Sequence, residues 1–235
     1  MRNYFIFGDV DSRDYGVYIS GTGTFDAPTR AYEAIEVPGR DGAYLGLEHR
    51  LENVELTYPA FMYADFRENM MALRSVLLSQ IGYQILMDSY HPDEYRLAVY
   101  KGGLSADVLA GNHAGEFDIV FDCMPQRWLR SGLEVITVTG SQSIYNPTKF
   151  DSMPLIRAYG SGTIGINDMT VTIASHSNPY IDIDCDMMDC FCNAVNCNSL
   201  VSFSENDFPT LRPGTNNFAL TGVTKIELTP RWWRV

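Results

Sequence analysis

Through much of its length this chain alternates an apolar side chain with a polar one. Asn3–Phe7, Tyr15–Ile19, Val54–Tyr58, Tyr83–Met87, Tyr95–Tyr100 and Phe117–Cys123 either follow that period or are short apolar runs. A period of two belongs to the strand, whose successive side chains point to opposite faces, one toward a core and one toward water. The pattern therefore predicts a mainly β protein. One segment departs from it. After Asp65, a residue type that caps helix N-termini, Phe66, Met70, Leu73, Leu77 and Ile81 recur every three or four positions and line one side of a helix. Gly82 is a natural stop, so the spacing predicts a single helix over residues 65–80.

Turn residues divide the strands. Val37-Pro-Gly-Arg-Asp-Gly42 packs a Pro-Gly and an Asp-Gly into six residues and predicts a hairpin free to project. Tyr90-His-Pro-Asp-Glu94 reads as a second turn. Near Met124-Pro-Gln-Arg-Trp128 the pattern changes, and from Leu133 short strand-like stretches alternate with Gly, Pro and Asn clusters. These are Val135–Thr139, Pro154–Tyr159, Met169–Ala174, Tyr180–Asp184, Leu200–Phe203, Asn216–Leu220 and Thr224–Leu228, the spacing of a sandwich or jelly roll. With 235 residues there is room for two domains, placed at 1–130 and 131–235.

Charge narrows the partners. With 29 acidic against 17 basic residues the formal charge is −12, which disfavours binding to a phosphate backbone. A channel lined with that charge would let DNA pass without holding it. No apolar run approaches the roughly 18 residues of a membrane span, and the opening MRNYFIFGDVDSRDYG lacks the pattern of a signal peptide. The expectation is a protein made and kept in a cytosol, its five cysteines reduced, with no membrane partner.

Several motifs bear on chemistry. Gly160-Ser-Gly162-Thr-Ile-Gly165 fits GxGxxG, but the strand-like Ile166–Ile173 follows where a dinucleotide site needs a helix, so a turn is expected. Cys185, Cys190, Cys192 and Cys197 supply enough thiols for tetrahedral zinc. The C-x-C spacing on a strand argues instead for small thiols on neighbouring strands. Asp182, Asp184, Asp186 and Asp189 lack the EF-hand pattern, and Asp182 and Asp184 alternating with Ile181 and Ile183 read as the wet face of a strand. There is no GxSxG elbow and no HExxH helix, and His49, His91, His113 and His176 read as surface side chains. Carboxylate pairs of the glycosidase kind depend on three-dimensional separation, and the sequence marks none. No enzyme, catalytic residue, metal or cofactor is expected. Thr229-Pro-Arg-Trp-Trp-Arg234 fits a sugar-stacking platform, an interface hot spot or a strand end tucked on its own domain.

Taken in order, these residues resemble the distal tail proteins (Dit) of siphophages and related prophages. Phe7-Gly8, Asp11-Ser12 and Gly16, Val37–Gly42 and Cys123-Met-Pro-Gln-Arg127 resemble the family's N-terminal domain. Asn146-Pro147, Met153-Pro-Leu-Ile156, Phe208-Pro-Thr-Leu-Arg-Pro-Gly214 with Asn216, and Pro230-Arg-Trp-Trp233 resemble its C-terminal domain. The match runs nearly end to end, and the cysteine-rich stretch 185–197 departs from it. The resemblance implies a ring-forming N-terminal β-sandwich with one helix and a projecting hairpin, and a galectin-like C-terminal β-sandwich. It implies a hexameric ring at the virion tail tip, assembled in the host bacterial cytoplasm. Its partners would be the tail tube protein, the tail-associated hub protein and receptor-binding or baseplate proteins, with DNA passing through. Two expectations extend it: acidic side chains line the lumen, and Pro38, Gly39, Arg40, Asp41 and Gly42 supply subunit contacts. The alternative is a carbohydrate-binding adhesion module for host cell-wall sugars, against which Tyr145, Tyr159 and Tyr180 look scattered rather than striped.

Overall fold

The computed structural model describes residues 2–21, 23, 25–109 and 113–235, with backbone alone at 47–49 and 108–109. It is mainly β and divides into two compact units, Met1–Arg127 with Val235, and Trp128–Arg234. No helix among the described residues is long and apolar enough to cross a membrane.

The first unit contains β1 (Phe5–Phe7), β2 (Val10–Asp11), β3 (Val17–Ile19), β4 (Arg30–Glu36), β5 (Ala43–Leu51), β6 (Val54–Met62), α1 (Phe66–Ser79), β7 (Gln84–Asp88), β8 (Glu94–Tyr100), β9 (Ala106–Leu109) and β10 (Ala114–Cys123). Its main sheet runs β2-β1-β7-β8-β10-β6-β3, with β9 also on β10. The longest pairing joins β10 to β6 from Gly115↔Met62 to Cys123↔Val54. It buries Leu56, Tyr58, Phe117, Ile119 and Phe121 on one face and leaves Glu55, Thr57, Glu116 and Asp118 on the other. This sheet curls. In a flat sheet β1 and β6, four strands apart, would sit about 19 Å from each other, yet the Phe5 and Tyr58 rings stack at 6.0 Å. The last strand of the path, β3, meets the residues leading into β1, where Ile19 N donates to the Asn3 carbonyl at 2.9 Å. A sheet closed over its own apolar face makes a two-layered core, as a sandwich does.

Helix α1 buries Phe66, Met70, Leu73 and Leu77, four of the five residues that its spacing selected. The fifth, Ile81, is 89% exposed. The backbone leaves the helix at Gln80, whose extended conformation ends the wheel before Ile81 can return to its apolar side, so Gly82 is not the stop. Asp65 stands at the N-cap with φ 50° and makes no side-chain cap bond; the Asn69 amide holds the Ala64 carbonyl instead. Tyr15, expected in a strand, ends a 3-10 turn over Ser12–Tyr15.

The chain enters the second unit along β11 (Arg127–Leu129). There follow β12 (Ile136–Val138), β13 (Gln142–Asn146), β14 (Leu155–Tyr159), β15 (Gly162–Ile166), β16 (Met169–Ile173), β17 (Ile181–Asp184), β18 (Asp189–Cys192), β19 (Val195–Asn196), β20 (Val201–Phe203), β21 (Gly214–Thr221), β22 (Lys225–Thr229) and β23 (Trp233–Arg234). Two sheets form, β12-β22-β14-β17-β18-β19 and β13-β21-β15-β16-β20. Val138, Ile156, Ile183, Ile226 and Leu228 from the first share one core with Ile144, Ile164, Val171, Ile173 and Phe218 from the second. Two antiparallel sheets enclosing one apolar layer are a β-sandwich.

Candidate functional site

Among the described residues β4 and β5 hydrogen-bond to each other and to no other strand, in register from Arg30↔Leu51 to Glu36↔Ala43 with one bulge. Their connection is Val37–Gly42, the turn that the sequence singled out. Arg40 N donates to the Val37 carbonyl at 3.1 Å, and Gly39 (φ 83°) and Gly42 (φ 79°) occupy the left-handed region that only glycine enters cheaply. The hairpin leaves Tyr32, Ile35, Val37, Tyr44 and Leu45 exposed. That is a concentration of uncovered apolar area on a two-stranded ribbon, a structure marginal in water by itself.

The acidic stretch of the second unit is different from its sequence reading. Asp182 and Asp184 are buried, as is every residue of β17. A buried carboxylate needs a cation and hydrogen bonds, and each has them. Arg157, directly across the ladder on β14, grips Asp182 through Nε (2.7 Å) and Nη2 (2.9 Å). Arg231 grips Asp184 at 2.6 and 2.8 Å, while Asp184 Oδ1 also caps the turn by accepting from Asp186 N and Met187 N. Burial pushes the Asp184 carboxyl up, but the Arg231 hydrogen bonds and the turn amides outweigh it, and its pKa lies below the ordinary value. Sequence reasoning passed over both arginines. The available signal was an acid on an apolar strand, which demands a cation within reach.

The four clustered cysteines are buried in the sandwich core, with Cys190 and Cys192 on the same face of β18 as the spacing implied. Burial raises the Cys185 thiol, and it pushes Cys190 up to about 12, as it does Cys123 in the other unit. Such thiols stay protonated and unreactive near neutral pH. Among the described residues no three His, Cys, Asp or Glu side chains converge as a metal would require.

The glycine motif forms a turn running into β15 and then β16, not a strand-to-helix elbow. A Cβ at Gly162 would stand 2.1 Å from the Thr221 carbonyl oxygen, so its glycine is demanded by strand packing and not by a phosphate. His91 is half-buried, its ring edge-on to Phe25 at 5.4 Å, and His176 Nε2 lies 3.2 Å from the Gly160 carbonyl, so neither is the plain surface side chain expected. His113 is exposed, and the side chain of His49 lies outside those described. Trp232 is buried in the sandwich core, and Trp233 stacks on Phe150 at 4.3 Å while its Nε1 donates to the Asp151 carbonyl. The tucked strand end is the reading that fits. Tyr159 and Tyr180 are not scattered but neighbours at 6.2 Å, covered by Lys225 and Arg157 respectively. A ring face occupied by a cation is closed to a sugar.

No protein-family model and no curated sequence matches the chain. Among solved structures it resembles the Dit protein (gp 19.1) of phage SPP1, described as a paradigm of the hub adsorption apparatus in phages infecting Gram-positive hosts. The two share 14% identity, all of both chains is covered, and the TM-score is 0.73. This chain has the distal tail protein fold.

Within the distal tail protein fold the motifs that carry the resemblance are structural clasps. Buried Ser12 accepts from Phe5 N at 3.2 Å, fixing the turn after β2 under β1. Arg127 of the Met-Pro-Gln-Arg run faces Glu94 at 3.6 Å, both buried. Asn146 uses all its valences, donating to the Phe150 and Leu211 carbonyls and accepting from Thr148 N and Oγ1. Asn216 likewise holds the Arg212–Gly214 turn and accepts from Asn167 Nδ2. Pro154 accepts from Cys185 N, and Arg231 N donates to the Gly132 carbonyl. A buried polar group that is fully satisfied specifies one geometry.

Proposed function

We propose that this chain is a distal tail protein, a non-enzymatic ring subunit at the tip of a phage tail, and that the ring has six copies. The observation that carries the proposal is the fold likeness over the whole of both chains to a phage hub adsorption protein. In this reading residues 1–130 form the ring and residues 131–235 are a galectin-like sandwich on its periphery. The Pro38-Gly39-Arg40-Asp41-Gly42 turn contacts the neighbouring subunit, supported by the uncovered apolar residues of its hairpin. One face of the ring meets the tail tube protein and the other the tail-associated hub protein. Receptor-binding or baseplate proteins attach outside, and the ring is assembled in the host cytoplasm. An acidic lumen lets DNA leave without binding, in keeping with the net charge of −12. The covered rings of Tyr159 and Tyr180 favour a structural sandwich over a carbohydrate-binding one.

The deciding experiment is the solution mass of the purified protein by light scattering, with negative-stain images of the same peak. Six-fold rings with a central hole are expected. A monomer at all concentrations that also binds cell-wall glycans would replace the ring with the adhesion reading.

A further inference from the structure

Two surfaces of the first unit are unfinished in the single chain, and their chemistries match. One is an open groove of about 730 Å³ over the solvent face of β6, β10 and β9. Phe61 lies opposite Glu116, and Glu116 lies opposite Asp107, so a ring and two carboxylates form one row across three strands. Asp118, opposite Pro59, adds a third acid. Like charges facing each other across a ladder destabilise a sheet. Among the described residues none of the three makes an ion pair, and no Lys or Arg lines the groove. The aromatic side already takes one guanidinium. Tyr63 packs on Phe61 at 4.9 Å, and the Arg2 guanidinium lies 4.7 Å from the Tyr63 ring and 5.0 Å from Tyr18.

The other surface is the hairpin tip. Arg40 stands exposed there with no ion pair among the described residues, and Val37, Tyr44 and Leu45 are exposed beside it. No hairpin residue lines the groove of its own chain.

We propose that the tip of one copy, residues 37–42, seats in the groove of the next copy, with the Arg40 guanidinium between Asp107 and Glu116 and against Phe61. A guanidinium is the group for this row, since its plane stacks on a ring while its edge forks onto carboxylates. The groove falls within the roughly 300–1,000 Å³ of pockets that engulf compact groups. Tip and groove are different patches, so the contact is head-to-tail and repeats around a ring. This inference rests on the ring reading above and names the receptor for the hairpin.

Cysteine crosslinking tests it on the full chain, because the five native thiols are buried and only introduced ones should react. Arg40→Cys and Glu116→Cys chains, each made separately and then mixed under mild oxidation, should give a disulfide-linked pair. Either variant alone should give at least tenfold less. In parallel, Arg40→Glu should reduce self-association at least tenfold, and adding Glu116→Arg to the same chain should restore it. Rings that form in the Arg40→Glu variant without any crosslink in the mixture overturn the docking and leave the ring reading intact. A crosslinked pair without rings supports the docking and removes the ring. Neither rings nor crosslink overturns both.

Discussion

Asp184 illustrates what a single side chain contributes here. Its carboxylate is buried, accepts from Arg231 Nη1 and Nη2, and closes the turn after β17. Removing one partner of a buried pair leaves the other charge uncompensated, so Asp184→Asn should destabilise the sandwich by about 3 kcal/mol, read as a lower urea midpoint. Its pKa is depressed in the folded chain. The stabilisation is therefore complete above the ordinary carboxylate range and is lost as pH falls through that range toward the folded value. Wild-type stability should drop on acidification from about pH 5, and the Asn variant should show a shallower slope; parallel acid limbs would remove Asp184 from the account. The cysteines make a second residue-scale expectation. With Cys123 and Cys190 pushed up to about 12 and all five thiols buried, the native protein should react negligibly with a thiol reagent at pH 8. All five should react at once in denaturant. Fast native labelling of even one thiol would contradict the burial.

At the scale of elements, α1 separates what a hydrophobic period reveals from what it hides. Leu73 is fully buried and Ile81 almost fully exposed, though both fit the same wheel. Leu73→Ala should cost about 2–5 kcal/mol, and Ile81→Ala should shift stability by less than about 0.5 kcal/mol, compared by denaturant unfolding of the two variants. The period could not show the helix end because Gln80 is held by Asp9, 71 residues away at 2.7 Å, a contact without a local signature. Among the strands given no range from the alternation, β13, β15 and β18 show why. In β15 only Ile164 and Ile166 mark the apolar face, with Gly162 in its first place and Gly165 on the other side, in β13 a buried Asn146 replaces an apolar residue, and in β18 the inward face is made of cysteines that invite a metal reading. The hairpin was legible because turn chemistry is local. That its strands pair with no other described strand was not, because isolation is a property of the surroundings. Deleting 37–42 should leave both cores folded by circular dichroism yet yield monomers by light scattering; an unchanged assembly would free the tip of any role between subunits.

For the whole molecule the legible part was the architecture, since two β units with one helix follow from alternation, one interruption and a change of pattern near 124–128. The paired interior of the acidic strand was not legible, because Arg157 and Arg231 meet their partners only once the sheet exists. The charge of −12 carries an expectation at this scale. The assembled protein should not retard duplex DNA in a gel even at low salt, where phosphate contacts are strongest, and a salt-sensitive shift would end the passive-conduit reading. The ribbon β4–β5 has a consequence of its own. A lone pair of strands is marginal in water, so its amide protons should exchange with solvent within seconds in an isolated subunit and become slow only when neighbours cover it. If the proposed ring forms, maturation of the subunit would finish outside the subunit: each copy would receive the last of its order from the others, and a tail tip under construction would gain rigidity in one step as its circle of copies completes.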